Sequence, residues 1–279
     1  MTMVTALRRY PVKSMLGEAL TEVAVTARGL HGDRTAAVVD ATGAVGSAKH
    51  PRKWGRLLDC RAALGEPVTV GLPDGTALFV GDPELDARLS KLLGREVSVS
   101  DDPSRGGVLE REVPAYEGGL PEVLRSTART DGTGATVTSG GVAAGTFFDY
   151  GAVHLVTTAS LARLRAARPA SDFDPLRFRP NLVVDAAGVP GFPEDAWVGA
   201  RLRVGGALFR VTVPTPRCAL PGLAQAGLPA DPDVMRTVAR EHRVPVGRLG
   251  RLSCVGVYLE VLEPGTVRLG DVVTVQPSP

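Results

Sequence analysis

An arginine followed directly by a cysteine lies in a stretch of chain that prolines stiffen. Residues 214–221 contain three prolines together with Arg217 and Cys218. Because proline has a fixed φ and no N–H group, this stretch predicts neither a regular helix nor a central strand. A thiolate is a soft metal ligand and a nucleophile, and a neighbouring positive charge lowers the pKa of a thiol. The pair therefore indicates metal binding or nucleophilic chemistry, although a small buried cysteine in an irregular loop explains the same residues equally well.

Basic side chains recur at predicted strand ends elsewhere in the chain. Lys13 stands beside Ser14 after the first predicted strand. Arg34 comes before a buried strand, and Arg179 comes shortly before Asn181 at the start of another. Taken singly, the lysine is typical of a solvated turn and Arg34 of a weak surface ion pair with the preceding aspartate. Gathered around the cysteine by the fold, these groups would hold a multiply anionic ligand beside a thiolate.

The remaining reactive side chains form no recognisable motif. The four histidines (His31, His50, His154 and His242) lack metal-binding spacing, and Cys60 and Cys254 are typical of a core. No Ser-His-Asp or Cys-His arrangement supports a hydrolase. Neither a GxxxxGK[ST] loop nor a GxGxxG turn opening a helix is present, so nucleotide binding is not indicated either.

Composition limits the class of protein further. The chain has 279 residues, of which 44% are hydrophobic and only 5% aromatic, which predicts a core made mostly of Val, Leu and Ala. A net charge of +2, from 32 basic and 30 acidic residues, gives no argument for binding nucleic acid or a membrane. Three widely separated cysteines and no signal peptide predict a reducing compartment, so we expect the cytoplasm.

Strand patterns dominate the chain and suggest three segments. Residues 1–100 read as a strand-rich α+β domain with one clear helix, which Asp82 caps and Gly94 ends. Residues 101–145 are rich in Gly, Ser and Thr and predict a connecting segment, partly mobile, with a short helix at residues 121–126. Residues 146–279 return to strands, including a hairpin over Gly205-Gly206. Because no βαβ unit repeats, the predicted fold is α+β and β-rich, with barrels or compact sheets.

Taken in order, the short motifs of this chain resemble those of the MOSC superfamily, the molybdenum cofactor sulfurase C-terminal domain proteins with their N-terminal β-barrel domain. The matching segments are residues 10–14 (YPVKS), 32–34 (GDR), 47–49 (SAK), 153–161 (VHLVTTASL), 178–181 (FRPN), 217–218 (RC), 256–258 (GVY) and 264–271 (PGTVRLGD). Each is short, but their joint presence and order are specific. Within the superfamily the chain is similar to the mitochondrial amidoxime-reducing component and its bacterial relatives. The resemblance implies a MOSC-associated domain over residues 1–100 and a MOSC-type β-barrel domain over residues 146–279.

The resemblance also implies a cofactor and the residues that bind it. The cofactor is the molybdenum cofactor, Mo-molybdopterin, and Cys218 is the expected molybdenum ligand. Cofactor contacts are expected from Lys13, Ser14, Arg34, Ser47, Lys49, Thr157, Thr158, Arg179, Asn181, Arg217 and Tyr258. Asp271 is expected as a catalytic neighbour of the metal, although a turn aspartate before the last strand explains that residue as well.

The activity implied by the resemblance is reduction of small N-hydroxylated or N-oxide substrates, by oxygen-atom transfer to molybdenum. Electrons are expected from a separate ferredoxin, cytochrome or flavoprotein, because the chain lacks the four-cysteine [2Fe–2S] motif of some bacterial relatives. Two alternatives stay open: a sulfurtransferase with a persulfide on Cys218, and a non-catalytic carrier of the cofactor. The basic residues argue against the first, since a persulfide needs no phosphate pocket.

Two departures from the family pattern fall beside the cysteine. Pro216 stands where relatives often have a small hydroxyl residue, and residues 219–230 replace a segment that in many relatives begins with threonine. We therefore expect this loop to select the substrate.

Overall fold

The computed structural model describes residues 2–105, 107–113, 122–141, 145–186 and 188–276. The strands are, in chain order, β1 (Met3–Arg9), β2 (Glu18–Leu20), β3 (Glu22–Thr26), β4 (Gly29–Leu30), β5 (Ala37–Asp40), β6 (Ala44–Val45), β7 (Arg61–Ala63), β8 (Thr69–Gly71), β9 (Ala77–Phe79), β10 (Val97–Ser100), β11 (Val108–Glu112), β12 (Ala128–Thr130), β13 (Thr136–Gly141), β14 (Val153–Thr157), β15 (Leu182–Asp185), β16 (Arg201–Val204), β17 (Ala207–Pro216), β18 (Arg243–Pro245), β19 (Arg251–Glu263), β20 (Gly265–Arg268) and β21 (Val273–Gln276). The α-helices are α1 (Pro51–Trp54), α2 (Pro83–Leu93), α3 (Glu122–Arg125), α4 (Thr158–Ala167), α5 (Pro175–Phe178) and α6 (Pro232–Glu241). This strand-rich α+β architecture confirms the predicted fold class.

The largest sheet that these residues form has nine strands. Its order is β2-β1-β15-β14-β19-β17-β16-β21, and β18 pairs with β19 outside this path. Every strand pair in it is antiparallel except β14 with β15, which are parallel and joined through α4 and α5. All five residues of β14 are buried, because neighbouring strands flank it and α4 packs nearby. The predicted hairpin over Gly205-Gly206 is confirmed as the turn between β16 and β17.

The N-terminal half contains a second core. A six-stranded sheet of order β10-β5-β6-β11-β13-β12 and a three-stranded sheet of β7, β8 and β9 surround buried side chains that include Trp54, Leu85 and Leu89. The predicted helix is confirmed as α2, with the Asp82 carboxylate accepting from the Glu84 N–H and Gly94 ending it at φ 65°. Leu85 and Leu89 lie on one face of this helix because residues four apart are neighbours on a helix surface.

Neighbours in space differ from neighbours in the chain. β1 pairs with β15, and β3 pairs with β20, so the first 30 residues pack with the C-terminal half. Val4, Leu7, Val23 and Val25 belong to the same core cluster as Phe209. The two cores therefore do not divide the chain at a single point.

The segment expected to connect the domains forms strands. Residues 101–145 contain β11, β12 and β13, which extend the sheet of β5 and β6. Val137 and Leu109 are fully buried there, although the Gly- and Thr-rich composition had suggested little to bury. The short helix expected at residues 121–126 appears as α3, and residue 121 lies outside the described residues. None of the helices in the described part of the chain is both long and apolar enough to cross a membrane.

Candidate functional site

A polar pocket lies where loops of the N-terminal half meet β14, β17 and β19. Its lining is Lys13, Ser14, Arg34, Ser47, Lys49, Asp149, His154, Phe178, Arg179, Pro216, Arg217, Cys218, Leu220 and Tyr258. Nine of these were expected from the sequence: Lys13, Ser14, Arg34, Ser47, Lys49, Arg179, Arg217, Cys218 and Tyr258. The fold thus gathers into one cavity side chains from segments that are up to 245 residues apart, Lys13 to Tyr258.

Backbone hydrogen bonds fix the segment that carries Lys13 and Ser14. The Lys13 N–H donates to Ala36 O (2.9 Å), which ties the chain after β1 to the start of β5. The Ser14 hydroxyl oxygen accepts from the Ala48 N–H (3.0 Å), which brings the segment containing Ser47 alongside. Two short motifs that are separate in sequence therefore form one wall of the pocket.

Left-handed backbone conformation is concentrated at the pocket. Ser14, Arg34 and Arg179 have φ values of 65°, 51° and 53°, and Ala226 is the one other described non-glycine residue with positive φ. A side chain in this region costs on the order of 1–3 kcal/mol. The surrounding structure therefore holds three pocket side chains in directions that relaxed backbone would not give them.

Two arginines flank the ring of buried Tyr10. The guanidinium carbons of Arg34 and Arg179 lie 5.3 and 4.3 Å from its centroid. Burial alone would lower the pKa of Arg34, but the paired Asp33 carboxylate together with Tyr10, Asp149 and Tyr258 raises it. Arg179 donates through Nη2 to Met15 O (2.7 Å), and burial lowers its pKa to about 10. Both guanidinium groups remain charged at neutral pH.

Asp149 bridges two lysines inside the pocket. Lys13 Nζ lies 2.5 Å from its Oδ1, and Lys49 Nζ lies 2.8 Å from its Oδ2. Lys13 also donates to Phe147 O (2.7 Å). Burial lowers the pKa of Lys13 to about 8 in spite of this carboxylate. The two ammonium groups overcome burial and hold the pKa of Asp149 well below its usual range.

Arg217 and Cys218 leave the end of β17 together. The Arg217 N–H donates to Ser253 O (2.8 Å), and its Nη2 donates to Phe178 O (2.9 Å). Cys218 is half-buried and packs against the cluster of Ala48, Leu58 and Leu220. The other two cysteines are fully buried, and burial raises the pKa of each to about 12. Cys218 is therefore the thiol that a ligand in the pocket can reach.

The prediction that prolines exclude a central strand before Cys218 was wrong. β17 continues through Pro214 and Pro216, which pair with Val257 and Cys254 of β19. The register of the two strands shifts between these prolines. Where the register shifts, the strand does not require a backbone N–H at each proline to donate to β19. The proline carbonyls can still accept hydrogen bonds.

His154 and Tyr258 form the wall that the large sheet contributes. His154 Nε2 donates to Val255 O (3.1 Å), and its ring centroid lies 5.8 Å from that of Tyr258. Burial lowers the pKa of His154 to about 3, so the imidazole is neutral and adds no positive charge. His154 and Asp149 were not among the expected site residues, although His154 lies within the motif at residues 153–161 and Asp149 lies shortly before it.

Four expected site residues do not line the pocket. Thr157 caps α4, with its hydroxyl donating to Glu194 (2.6 Å), and the Thr158 hydroxyl donates to Asp185 (2.8 Å). Asn181 accepts from the His154 N–H (3.0 Å) and donates to Arg8 O (3.2 Å), so it supports the pocket wall from behind. Asp271 accepts from the Arg268 N–H (2.7 Å) in the turn before β21. That contact makes Asp271 a turn residue rather than a neighbour of Cys218.

Unpaired donors show what kind of ligand suits the pocket. Arg179 Nη1 and Arg217 Nε are buried and have no acceptor in the described part of the protein. Five cationic side chains line the cavity, whereas the carboxylates paired with them in the described residues belong to Asp33 and Asp149. A polyanionic group would satisfy the free donors and the excess charge, and Cys218 offers sulfur to a soft metal. The residues present therefore fit a phosphate-bearing molybdenum cofactor.

The fold and the pocket define a strand-rich protein with a cationic site around one cysteine. The family model described as MOSC N-terminal beta barrel domain matches residues 1–98, and the model described as MOSC domain matches residues 143–274. The chain therefore belongs to the MOSC superfamily, whose MOSC domains are known to bind molybdenum cofactor.

Solved structures give weaker likenesses. The YuaD protein from Bacillus subtilis is 13% identical, with a TM-score of 0.47, and the match covers 100% of this chain and 98% of that one. YiiM from Geobacillus stearothermophilus is 17% identical, with a TM-score of 0.32, over 45% of this chain and 54% of that one. YiiM from Escherichia coli is 16% identical, with a TM-score of 0.30, over 46% and 56%. A search of curated protein sequences gave no match. The family assignment accordingly rests on the two family models.

Proposed function

We propose that this protein binds the molybdenum cofactor in the pocket and reduces small N-hydroxylated or N-oxide compounds. The observation that carries the proposal is the set of five cations around Cys218, two of which keep buried N–H groups without an acceptor. Membership of the MOSC superfamily supports the cofactor. The similarity of the motifs to the amidoxime-reducing component supports the reaction.

The residues divide into a soft ligand and an anion-binding wall. Cys218 Sγ would ligate the metal, and Lys13, Lys49, Arg34, Arg179 and Arg217 would bind the phosphate and the other anionic atoms. Ser14, Ser47 and Tyr258 offer hydroxyl groups to the pterin. When bound, the cofactor supplies the two-electron chemistry that reduces the N–O bond.

The chain's own groups shape the approach to that site. Reduction of an N-hydroxyl group consumes two electrons and two protons and releases water. Pro216, Phe178 and Leu220 line the cavity together with Cys218 and would limit the access of bulk water. Burial lowers the pKa of His154 to about 3, so the ring carries no extra proton at neutral pH and is not the general acid of the reaction.

A separate protein would deliver the electrons. The three cysteines of the chain are fewer than the four of a [2Fe–2S] ferredoxin motif. We therefore propose a ferredoxin, cytochrome or flavoprotein as the donor. Free thiols also suit a reducing cytoplasm as the compartment.

Metal and pterin analysis of the purified protein tests the proposal. Protein from a molybdenum-replete host should carry about one molybdenum per chain, as one soft ligand and one phosphate site imply. Cys218→Ala should lose the metal, whereas Cys60→Ala, which changes a buried cysteine outside the pocket, should keep it. The loaded protein should reduce an amidoxime with reduced viologen as electron source.

Other results would identify the alternatives. Cyanide-labile sulfur on Cys218 without metal would indicate a sulfurtransferase. Bound cofactor without reduction of any N-oxygenated compound would indicate a carrier. Absence of both metal and pterin from all preparations would contradict the proposal.

A further inference from the structure

The chain after Cys218 forms a compact loop. It begins with a short 3₁₀ turn at Leu220–Gly222. A tight turn at Ala226 and Gly227 follows, with φ values of 53° and 80°. Backbone hydrogen bonds of 3.1 and 2.8 Å join Gln225 and Leu228 across this turn. Residues 219–230, which depart from the family pattern, are therefore ordered by contacts of their own.

A single buried arginine lies beneath this loop. Arg177 donates through Nη1 to Pro221 O (3.2 Å) and Leu223 O (3.4 Å), and through Nη2 to Pro229 O (2.9 Å). Its Nε donates to Asp172 O (2.8 Å). The residue is 0% exposed, and none of the ion pairs in the described ranges involves it. In the part of the chain that the structure describes, every acceptor of an Arg177 hydrogen bond is a backbone carbonyl.

A buried arginine without a carboxylate partner lowers the stability of the folded protein unless its hydrogen bonds compensate. Burying a charge without a carboxylate partner is unfavourable, and only well-placed hydrogen bonds offset that cost. The carbonyls of Pro221, Leu223 and Pro229 accept no backbone N–H in the described part of the protein, so without the guanidinium group they would lack a protein donor. Arginine suits this position since its planar fork carries five N–H donors with fixed directions.

The same arginine connects two walls of the pocket. It lies in α5, directly before Phe178 and Arg179, which line the cavity. On the other side it donates to the carbonyls of Pro221 and Leu223. Leu220, which precedes Pro221, also lines the cavity. Leu220 belongs to the cluster of Ala48, Leu58 and Leu220, and both Cys218 and Leu223 pack against that cluster.

We infer that Arg177 is a positioning residue: it sets the loop after Cys218, and through Leu220 and Leu223 it sets the access of substrate to the Cys218 thiol. The part concerning substrate rests on the proposed function. The part concerning the thiol does not, because it can be measured in the cofactor-free protein.

The rate of Cys218 alkylation by iodoacetamide, followed by intact mass, tests this inference. Cys60 and Cys254 are 0% exposed, so labelling of the folded protein reports on Cys218, and Cys218→Ser should abolish it. Arg177→Met should speed alkylation about tenfold, because several carbonyls lose their donors and the loop opens locally. Arg177→Lys keeps the charge but not the planar fork of donors, so its alkylation rate should lie between those of the wild type and Arg177→Met.

Arg165 provides the matched control. It also donates to a backbone carbonyl, Phe173 O (2.9 Å), but among the described residues none of its hydrogen bonds reaches residues 219–230. Arg165→Met should leave the alkylation rate unchanged. Hydrogen exchange should show faster exchange at Gln225 and Leu228 in Arg177→Met, with β17 and β19 still protected.

An unchanged alkylation rate in folded Arg177→Met would overturn the inference, as would an equal acceleration in Arg165→Met. If Arg177→Met does not fold, the same comparison is made with Arg177→Lys. In protein loaded with cofactor, the Arg177 variants should raise the KM for substrate more than they lower kcat. Failure to bind molybdenum would refute the proposed function and leave the alkylation result to decide the role of Arg177.

Discussion

At the scale of single residues, the carboxylates near the pocket compensate only part of the positive charge of its lysines and arginines. Asp149 is one carboxylate shared by two lysines, and Asp33 pairs with Arg34. Arg179 and Arg217 contact carbonyls and aromatic rings instead of carboxylates. Excess buried positive charge destabilises the ligand-free protein and becomes favourable when an anion binds. The pocket therefore couples the stability of the protein to its occupancy.

Asp149→Asn tests this coupling. Without added anion, the substitution should lower the free energy of unfolding by about 1–3 kcal/mol, because it leaves two neighbouring ammonium groups uncompensated. Sulfate should reduce the difference from the wild type, since a bound anion replaces the carboxylate. Denaturant unfolding with and without sulfate measures both effects.

The control for Asp149→Asn is Asp59→Asn, which removes an exposed ion pair with Arg56. Asp59→Asn should change the free energy of unfolding by no more than about 0.5 kcal/mol, and sulfate should not alter that difference. A destabilisation of Asp149→Asn that sulfate does not reduce would contradict the coupling.

The pH dependence of anion binding follows from Lys13. Its pKa is about 8 in the folded chain, so sulfate affinity of the cofactor-free protein should fall as pH rises above 8 and the ammonium group loses its proton. Because the folded state binds fewer protons than the unfolded state between about pH 8 and the usual lysine pKa of about 10.4, this group makes the free energy of unfolding rise with pH in that window.

Isothermal titration with sulfate at pH 7, 8 and 9 measures the affinity. Lys13→Met should weaken binding at pH 7 and flatten the decrease above pH 8. Lys91→Met, at an exposed position of α2, should reproduce the wild-type profile. A wild-type affinity that does not change from pH 7 to 9 would argue against a charged Lys13 in the anion site.

At the scale of secondary-structure elements, close packing between strands fixes the sheet wall of the pocket. Gly256 of β19 has φ 78°, and a Cβ there would lie 2.2 Å from Leu155 O and 2.7 Å from His154 Nε2. β14 and β19 can approach this closely only because residue 256 has no side chain. The position of His154 and Tyr258 in the pocket depends on that approach.

Gly256→Ala should therefore destabilise the protein by about 3 kcal/mol or more, since it combines a backbone clash with an unfavourable φ. Gly75→Ala is the matched control: its φ is 87°, but nothing lies within 4 Å of the added Cβ. Gly75→Ala should lower the free energy of unfolding by only about 1 kcal/mol. Thermal or denaturant unfolding compares them, and equal losses would show that the strand contact contributes little.

At the scale of the whole molecule, N-terminal strands complete the C-terminal sheet. β1 and β2 lie at the edge beside β15, and β3 pairs with β20. Val4, Leu7, Val23 and Val25 supply part of the apolar core that the C-terminal half surrounds. Lys13 and Arg34 reach the pocket from the same N-terminal segment. Fold and site therefore depend on both halves of the chain together.

A fragment of residues 146–279 should accordingly fail to fold alone. It should show no cooperative thermal transition by circular dichroism, because an edge of β15 and part of the core would be exposed to water. Co-expression with residues 1–145 should restore a folded complex on size-exclusion chromatography. Cooperative unfolding of the isolated fragment would show instead that the C-terminal half is an independent domain.

The sequence by itself determined what local patterns and residue chemistry can specify. Helix α2, with its Asp82 cap and its Gly94 end, and the hairpin over Gly205-Gly206 depend on nearby residues alone. Lysine, arginine and cysteine at strand ends indicated an anion-binding thiol site because few other ligands suit that combination. The order of short motifs indicated the family, and the family models show it.

Only the tertiary structure decided which side chains meet. Thr157, Asn181 and Asp271 belong to matching motifs, yet they point into caps, strand contacts and turns, while Asp149 and Arg177 were unmarked in the sequence. β11 pairs with β6 from a distant part of the chain, which joins the local sheet of β11, β12 and β13 to β5, and no local composition could reveal that pairing. The direction of a side chain and the partner of a strand are set by contacts between distant segments, and these exist only once the whole chain has folded.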